Sequence, residues 1–172
     1  MMTKDAGRTT TYHRDEHAEH DEHDEHDEHD EGRARLGDRL ARSLGIEPML
    51  YKELSHAIVG AAIEVHRRVG PGMVEFVYQS ALEYELGYRA IPFAAQAPIA
   101  VYYRDRVKVG EFFADFIVDE KIIVEIKSVE RYSPVHRAQV FSYLGAADLH
   151  LGLLINFDVP VLYQSVCRII RA

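Results

Sequence analysis

The hydrophobic positions of the chain follow a helical period first. Between residues 50 and 87, apolar side chains recur at spacings of three and four, which predicts two amphipathic helices. The segment "VGPG" at 69–72 separates the helices, because Gly and Pro interrupt helical geometry. The second helix is predicted at about residues 73–87, with Gly87 as its C-terminal cap. The apolar positions are Leu54, Ile58, Ala61, Ala62, Val65 and Val69 in the first helix and Val74, Val77, Tyr78, Ala81, Leu82 and Leu86 in the second.

Beyond residue 98 the pattern becomes that of β-strands. Strands are predicted at 99–103, 107–119 and 122–129, and a bend is expected at Gly110. The turns "RDR" and "DEK" between them are short, which favours an antiparallel meander.

A third helix and two more strands complete the pattern. The segment 133–147 is predicted to be helical, with Ser133 as its N-cap and Pro134 as its first residue. The continuous apolar run at 150–157 is typical of a strand covered on both faces. The segment 161–170 is predicted to form an edge strand. The order ααβββαββ predicts an α/β layered domain.

Three charged residues do not fit these apolar strands. Asp115 lies within "FFADFIVD", and Glu125 and Lys127 lie within "IIVEIKSV". Residues two apart on a strand face the same side, about 6.6 Å from each other, so Glu125 and Lys127 project together. A hairpin between the two strands would bring Asp115 near Glu125.

Two interpretations of these charges are open. Two close carboxylates repel each other unless a cation lies between them, and Mg²⁺ or Mn²⁺ prefers oxygen ligands. A neighbouring lysine can then orient or deprotonate a water, or stabilise charge on a phosphate. The alternative is a buried ion pair with no further role, which is the more frequent explanation for an isolated Glu-x-Lys.

The spacing of these charges resembles a known motif. Asp115, followed ten residues later by Glu125-x-Lys127, resembles the signature of the PD-(D/E)XK nuclease superfamily. The resemblance implies a restriction-endonuclease-like core, in which a central mixed β-sheet is flanked by helices. It also implies that Asp115 and Glu125 bind metal and that Lys127 is catalytic. Ala114 stands where the superfamily has Pro, which is a common variation.

A second segment resembles a narrower family. "GMVEFVY", with Gly72, Glu75 and Tyr78, is similar to the pattern that gives the GxxExxY protein family its name. The segments "VHRRVGPGMVEFVYQSALEYEL" and "LGLLINF" look like that family as well, and the resemblance covers residues 50 to 171. It implies that Glu75 is the helical acidic metal ligand.

Four further side chains are candidates for the same site. Gln139 and Tyr143 resemble the Q-x-x-x-Y motif of RecB-like exonucleases, which implies that they orient Lys127 or the nucleic-acid backbone. Their spacing places both on one helix face. His66 and His136 are accessory candidates for a metal or phosphate contact. A structural role at a helix end is the favoured alternative for His66.

Charge divides the chain into two parts. Residues 1–31 hold 3 Lys or Arg and 12 Asp or Glu, whereas residues 32–172 hold 17 and 16, so the N-terminal segment carries −9 and the rest of the chain +1 of the formal net charge of −8. That segment cannot bury a core, and residues 1–47 are predicted to be a disordered tail and linker before a domain at 48–172. Five tail histidines form a weak candidate metal site, with a solvated extension as the alternative: His17, His20, His23, His26 and His29.

Composition limits the remaining possibilities. Cys167 is the single cysteine, which excludes an internal disulfide and fits a cytoplasmic protein. No secretory signal or membrane span is expected, and nothing calls for an organic cofactor. An oligomer is left open without a supporting feature.

The resulting hypothesis is a nuclease-fold protein that hydrolyses phosphodiester bonds with one or two Mg²⁺ or Mn²⁺ ions. Nucleic acid is the expected partner, DNA rather than RNA, in DNA processing or repair. Two alternatives are a catalytically weak nucleic-acid-binding module of the same fold and a metal-binding tail on a carrier domain.

Overall fold

The computed structural model describes residues 50–104 and 106–172, which form three helices and five strands. The helices are α1 (Lys52–Val69), α2 (Glu75–Tyr88) and α3 (Pro134–Ala147). The strands are β1 (Phe93–Tyr103), β2 (Val107–Val118), β3 (Ile122–Lys127), β4 (Leu151–Asn156) and β5 (Val166–Ile170). The predicted order ααβββαββ is confirmed. The predicted tail and linker at residues 1–47 lie outside the described residues, and the boundary at residue 48 stays a prediction.

The sheet is mixed, with strand order β1-β2-β3-β4-β5. The pairs β1–β2, β2–β3 and β4–β5 are antiparallel, and β3–β4 is parallel, as its crossover through α3 requires. The central strands β3 and β4 are almost entirely buried, which explains their continuous apolar runs. This mixed sheet flanked by helices is the predicted restriction-endonuclease-like α/β fold.

Helices cover both faces of the sheet. The α1 and α2 helices pack on one face around a core that includes Ile58, Leu82 and Phe116. The α3 helix covers the other face, where Val140 and Leu144 pack against Leu154 and its neighbours. Alternate residues of β3 therefore face α1 and α2 on one side of the sheet and α3 on the other.

Two predicted boundaries at the start of the sheet are wrong. Gly87 does not cap α2, because the backbone N–H of Arg89 still bonds to the carbonyl of Glu85 at 3.1 Å and the helix continues to Tyr88. The first strand begins at Phe93 rather than residue 99, because Phe93 pairs in register with Val118. Pairing with β2 therefore makes this Ala-rich segment a strand, although its residues have weak β propensity.

The last predicted strand is also too long. Residues Leu162–Ser165 form a single 3₁₀ turn, and only Val166–Ile170 pairs with β4. The Ser165 hydroxyl donates hydrogen bonds to carbonyls within and before this turn, and such a local bond competes with strand pairing. β5 nevertheless lies at the edge of the sheet, as predicted.

Candidate active site

The candidate site lies where β2 and β3 separate. Their pairing ends at Phe116↔Val124, whereas β3 continues beside β4 as far as the pair Lys127↔Asn156. At this fork the backbone N–H of Ile126 donates to Asp115 Oδ2 at 2.8 Å, in place of a carbonyl from the neighbouring strand. The fork therefore opens the sheet beside the end of β3.

Asp115 and Glu125 lie on the same face of the sheet. Their neighbours Phe116 and Val124 are opposite each other and both point into the α1–α2 core. Because side chains alternate along a strand, Asp115 and Glu125 point to the other face. They are also close enough for the charge of Asp115 to raise the pKa of Glu125.

Glu125 is a buried carboxylate with one free oxygen. The residue is only 3 % exposed. Its Oε1 accepts a hydrogen bond from Lys127 Nζ at 2.9 Å, while Oε2 is buried without a partner among the described residues. Burial, followed by the nearby charge of Asp115, raises the pKa of Glu125 to about 7. Such an oxygen is costly to bury unless a proton or a cation satisfies it.

Lys127 is held between carboxylates from two elements. Its ammonium lies 2.9 Å from Glu125 Oε1 and 3.6 Å from Glu75 Oε1. Burial by itself would lower the pKa of Lys127, but the charges of Glu125, Glu75 and Asp115 and the hydrogen bond to Glu125 outweigh it and raise the pKa. Lys127 is therefore a protonated cation at neutral pH.

The loop before α2 explains how Glu75 reaches the site. The Tyr78 hydroxyl donates to the Gly70 carbonyl at 2.7 Å and accepts from the Met73 backbone N–H at 3.0 Å. The Ser128 hydroxyl donates to the Met73 carbonyl at 2.6 Å, which ties this loop to the residues after β3. Glu75, the first residue of α2, is thereby held beside the end of β3.

Two supporting side chains escaped the sequence-based prediction. Gln96 Nε2 donates to Asp115 Oδ1 at 3.3 Å from the neighbouring strand. Asn156 is buried at the end of β4, where its Oδ1 accepts from the Val129 N–H at 3.0 Å and its Nδ2 donates to the Val129 carbonyl at 2.6 Å. The polar Asn in "LGLLINF" was a visible signal. No feature of the sequence indicated the role of Gln96, since its contact with Asp115 depends on strand register.

Gln139 and Tyr143 lie on the helix that covers this face. They bond to each other, with Gln139 Nε2 donating to the Tyr143 hydroxyl at 2.7 Å. The Tyr143 ring is also packed 5.0 Å from the Phe112 ring of β2. Neither side chain is hydrogen-bonded to Lys127, whose polar partners among the described residues are Glu125 and Glu75.

Both accessory histidines have structural partners. His66 Nε2 donates to the Val159 carbonyl at 2.8 Å, which joins the end of α1 to the loop after β4. His136 Nδ1 accepts from the Ser133 backbone N–H at 3.3 Å and helps to cap α3. Neither contact involves the carboxylate cluster. The candidate tail ligands, His17 to His29, lie outside the described residues.

The donor set suits a hard cation, although it is not a complete cage. Asp115 and Glu125 present carboxylate oxygens on one face, and Glu125 Oε2 is free to accept a ligand. Glu75 is turned towards Lys127. Within residues 50–104 and 106–172 no group of three His, Cys, Asp or Glu side chains is arranged to hold a metal ion. Two carboxylates with water and phosphate are a common Mg²⁺ environment, so the residues fit such an ion.

Comparison with known families agrees with the fold. Residues 52–169 match the model of the PD-(D/E)XK nuclease superfamily. The chain therefore belongs to this superfamily, whose nucleases generally use divalent metal ions and act on nucleic acid. The match does not extend to the GxxExxY protein family, and that narrower resemblance stays a prediction. A search of curated proteins and a search of solved structures each found no significant match.

The described helices also bear on membrane association. In the part of the chain that the structure covers, no helix has both the length and the apolarity needed to cross a membrane.

Proposed function

We propose that this protein hydrolyses phosphodiester bonds in nucleic acid with Mg²⁺ or Mn²⁺. The observation that carries the proposal is Glu125 Oε2, a buried carboxylate oxygen that has no hydrogen-bond partner among the described residues and lies beside a second carboxylate at a fork in the sheet. A purely structural ion pair would satisfy its acceptors, because unpaired buried oxygens are rare in folded proteins. This feature favours a ligand site over the simple ion pair.

The metal ligands would be Asp115 and Glu125, with Glu75 as a third ligand if it turns away from Lys127. When bound, a divalent cation polarises a phosphate oxygen and lowers the pKa of a coordinated water. Asp115 is already oriented by Gln96 and by the Ile126 N–H, so its carboxylate needs little ordering on binding. One or two ions are both compatible with this donor set.

Lys127 would act as a cation rather than as a base. The pKa of this ammonium is raised by its carboxylate neighbours, so it retains its proton at neutral pH. An ammonium offers three hydrogen-bond donors, with which it can position the attacking water and stabilise negative charge developing on the phosphate.

Gln139 and Tyr143 would position the nucleic-acid backbone from α3. Tyr143 is mostly buried, and its hydroxyl is already bonded to the Gln139 amide. The second N–H of the Gln139 amide and the O–H of Tyr143 are therefore the donors that could face a phosphate oxygen. We further propose DNA rather than RNA as the substrate, in cytoplasmic DNA processing or repair.

The test separates metal binding from turnover. It uses the chain without residues 1–31, so that neither the histidines nor the carboxylates of that segment can bind the added metal. Mg²⁺ and Mn²⁺ binding is measured by calorimetry, and cleavage is measured on single- and double-stranded DNA and RNA. Lys127→Ala should retain metal binding and lose cleavage, because lysine is not a ligand. Asp115→Asn should lose both, because an amide binds a hard cation poorly.

Lys121→Ala is the matched control. Lys121 lies six residues before Lys127 and pairs with Asp119 at the exposed turn after β2, so its loss should change neither measurement. If wild-type protein binds metal but cuts none of the substrates, the catalytically weak binding module is the correct function. If Lys127→Ala cuts as fast as wild type, the proposed role of Lys127 is wrong. If only the chain that includes residues 1–31 binds metal, the carrier alternative stands.

A further inference from the structure

From the candidate site outwards, the β1–β2 hairpin extends further than the rest of the sheet. Pairing of β1 with β2 continues to Tyr103↔Val107, although pairing of β2 with β3 ends at Phe116↔Val124. Residues 97–104 and 106–114, here called the hairpin arm, therefore project past the fork. Asp115 is the next residue of β2, so the arm begins at the proposed catalytic centre.

The hairpin arm exposes an unusual amount of apolar surface. Six of its large hydrophobic side chains are exposed: Tyr102, Tyr103, Val107, Val109, Phe112 and Phe113. Folded proteins rarely expose large apolar patches, and those that they do expose often mark binding sites. The exposure is therefore a sign of a binding surface.

Two of these aromatic residues share the face that α3 does not cover. Phe112 packs against Tyr143 of α3, so the next residue, Phe113, points away from that helix and is 52 % exposed. Phe113 is paired with Pro98, and Tyr102 lies four residues further along β1, about 13 Å away. Tyr102 is 57 % exposed. The Phe113 and Tyr102 rings therefore lie on one face of the arm, at increasing distance along it from the fork.

Positive charges accompany the rings. Lys108 is the register partner of Tyr102, and the Arg104 guanidinium lies 5.4 Å from the centre of the Tyr103 ring. Arg106 at the tip of the arm is also exposed. Exposed aromatic rings beside Lys and Arg are the means by which proteins bind single-stranded nucleic acid, through base stacking and phosphate contacts.

A protein strand fits the hairpin arm less well. The pairing register between β1 and β2 shifts by one residue between Val101 and Tyr102. The shift leaves a bulge in β2 near Val109, next to Lys108. A bulge and a lysine on an edge strand both hinder pairing with another chain. The arm therefore resists addition of a strand while it leaves its aromatic side chains open.

We propose that the hairpin arm binds single-stranded nucleic acid by stacking unpaired bases on Phe113 and Tyr102. The inference rests on the proposed function and specifies its substrate, a strand that is unpaired where it crosses the arm. Phe113 stacks one base on the face of the arm that α3 leaves open, and Tyr102 stacks another further along the same face. These two are specificity-determining residues rather than catalytic residues.

The test measures binding without metal, so that cleavage cannot interfere. Fluorescence anisotropy of labelled single-stranded 12-mers and matching duplexes is followed in EDTA with the full chain. Replacing Phe113 and Tyr102 together with Ala should weaken single-strand binding about tenfold or more and leave duplex binding nearly unchanged. The matched control replaces Tyr84 and Tyr88, two exposed aromatic residues on α2, with Ala and should have no effect.

Three results would overturn the proposal. They are unchanged single-strand affinity in the Phe113 and Tyr102 variant, an equal loss in the α2 control, and a wild-type dimer in light scattering that the variant converts to a monomer. The last result would make the arm an interface between copies.

A parallel measurement separates this proposal from the catalytic one. Hydrolysis of bis(p-nitrophenyl) phosphate, which has no bases, is measured for the wild type. If wild type shows single-strand binding through the arm but hydrolyses neither this compound nor nucleic acid, the proposed catalysis fails and the binding proposal stands.

Discussion

At the scale of single residues, Glu125 determines how the site responds to pH. Burial, and then the charge of Asp115, raises its pKa to about 7, whereas an unfolded glutamate titrates near 4.5. The folded state therefore binds more protons than the unfolded state between these values. Stability must fall as pH rises across this interval, because ionised Glu125 is poorly tolerated in the fold.

The free-energy cost of ionising Glu125 in the folded state predicts how the stability of Glu125→Gln depends on pH. In metal-free buffer, the free energy of unfolding of wild type should fall from pH 5 to pH 8 relative to that of the variant. The difference should be on the order of 2 kcal/mol. Urea unfolding at several pH values measures it. Parallel pH profiles for the two proteins would show that Glu125 titrates normally and that its environment is polar.

At the scale of structural elements, the loop between α1 and α2 depends on one hydroxyl group. Tyr78 is fully buried, its ring stacks 4.6 Å from Phe157, and its hydroxyl bonds to both Gly70 and Met73. The Tyr of "GMVEFVY" therefore holds the turn that presents Glu75. This gives the motif a structural explanation that does not depend on its family.

Tyr78→Phe tests that explanation. Removal of the hydroxyl keeps the stacked ring but leaves the loop groups without their partner, so the free energy of unfolding should fall by about 1 kcal/mol. Tyr84→Phe removes an exposed hydroxyl from the same helix and is the control, with little change expected. Chemical denaturation of the three proteins gives the comparison. Equal stability of wild type and Tyr78→Phe would show that water replaces the hydroxyl without cost.

A glycine pair tests the contact between α3 and the sheet. A Cβ added at Gly152 of β4 would clash with Val140 Cγ1, whereas one added at Gly87 of α2 would meet nothing within 4 Å among the described residues. Gly152→Ala should destabilise the protein by about 1–3 kcal/mol through overpacking. Gly87→Ala should stabilise it by up to about 0.5–1 kcal/mol, because alanine has a higher helix propensity than glycine.

Thermal unfolding of the two glycine variants should therefore shift in opposite directions. Combining Gly152→Ala with Val140→Ala should recover part of the loss, since the second change removes the clashing methyl group. If Gly152→Ala alone is neutral, α3 is free to move away from the sheet and the close packing is not required.

At the scale of the whole molecule, acidity and fold are separated along the chain. Residues 17–31 contain one apolar side chain, Ala18, and therefore offer almost nothing to a core. Deletion of residues 1–31 should leave the melting temperature unchanged in metal-free buffer, as calorimetry can measure. A clear decrease would show that the acidic segment contributes contacts to the folded domain.

The order of the elements could be predicted because it depends on local patterns. The change from helical to strand period and the "VGPG" and "DEK" breaks are all visible in the sequence. Asp115, Glu125 and Lys127 were identifiable for a similar reason, since charges within apolar strands require compensation. The errors fell at Gly87 and Phe93, where a continued backbone hydrogen bond and sheet pairing outweighed residue preference, and at residues 161–165, where a 3₁₀ turn replaces the start of the last predicted strand.

The partnerships within the site were decided by the tertiary structure. No periodicity indicates that the sheet forks at Asp115, that Gln96 bonds to that carboxylate, or that Glu75 faces Lys127. These contacts join separate elements, and their geometry depends on strand register and on the loop held by Tyr78. Sequence by itself thus determined which residues carry unusual chemistry, and the fold decided which of them meet, because side-chain contacts follow from packing in three dimensions and not from spacing along the chain.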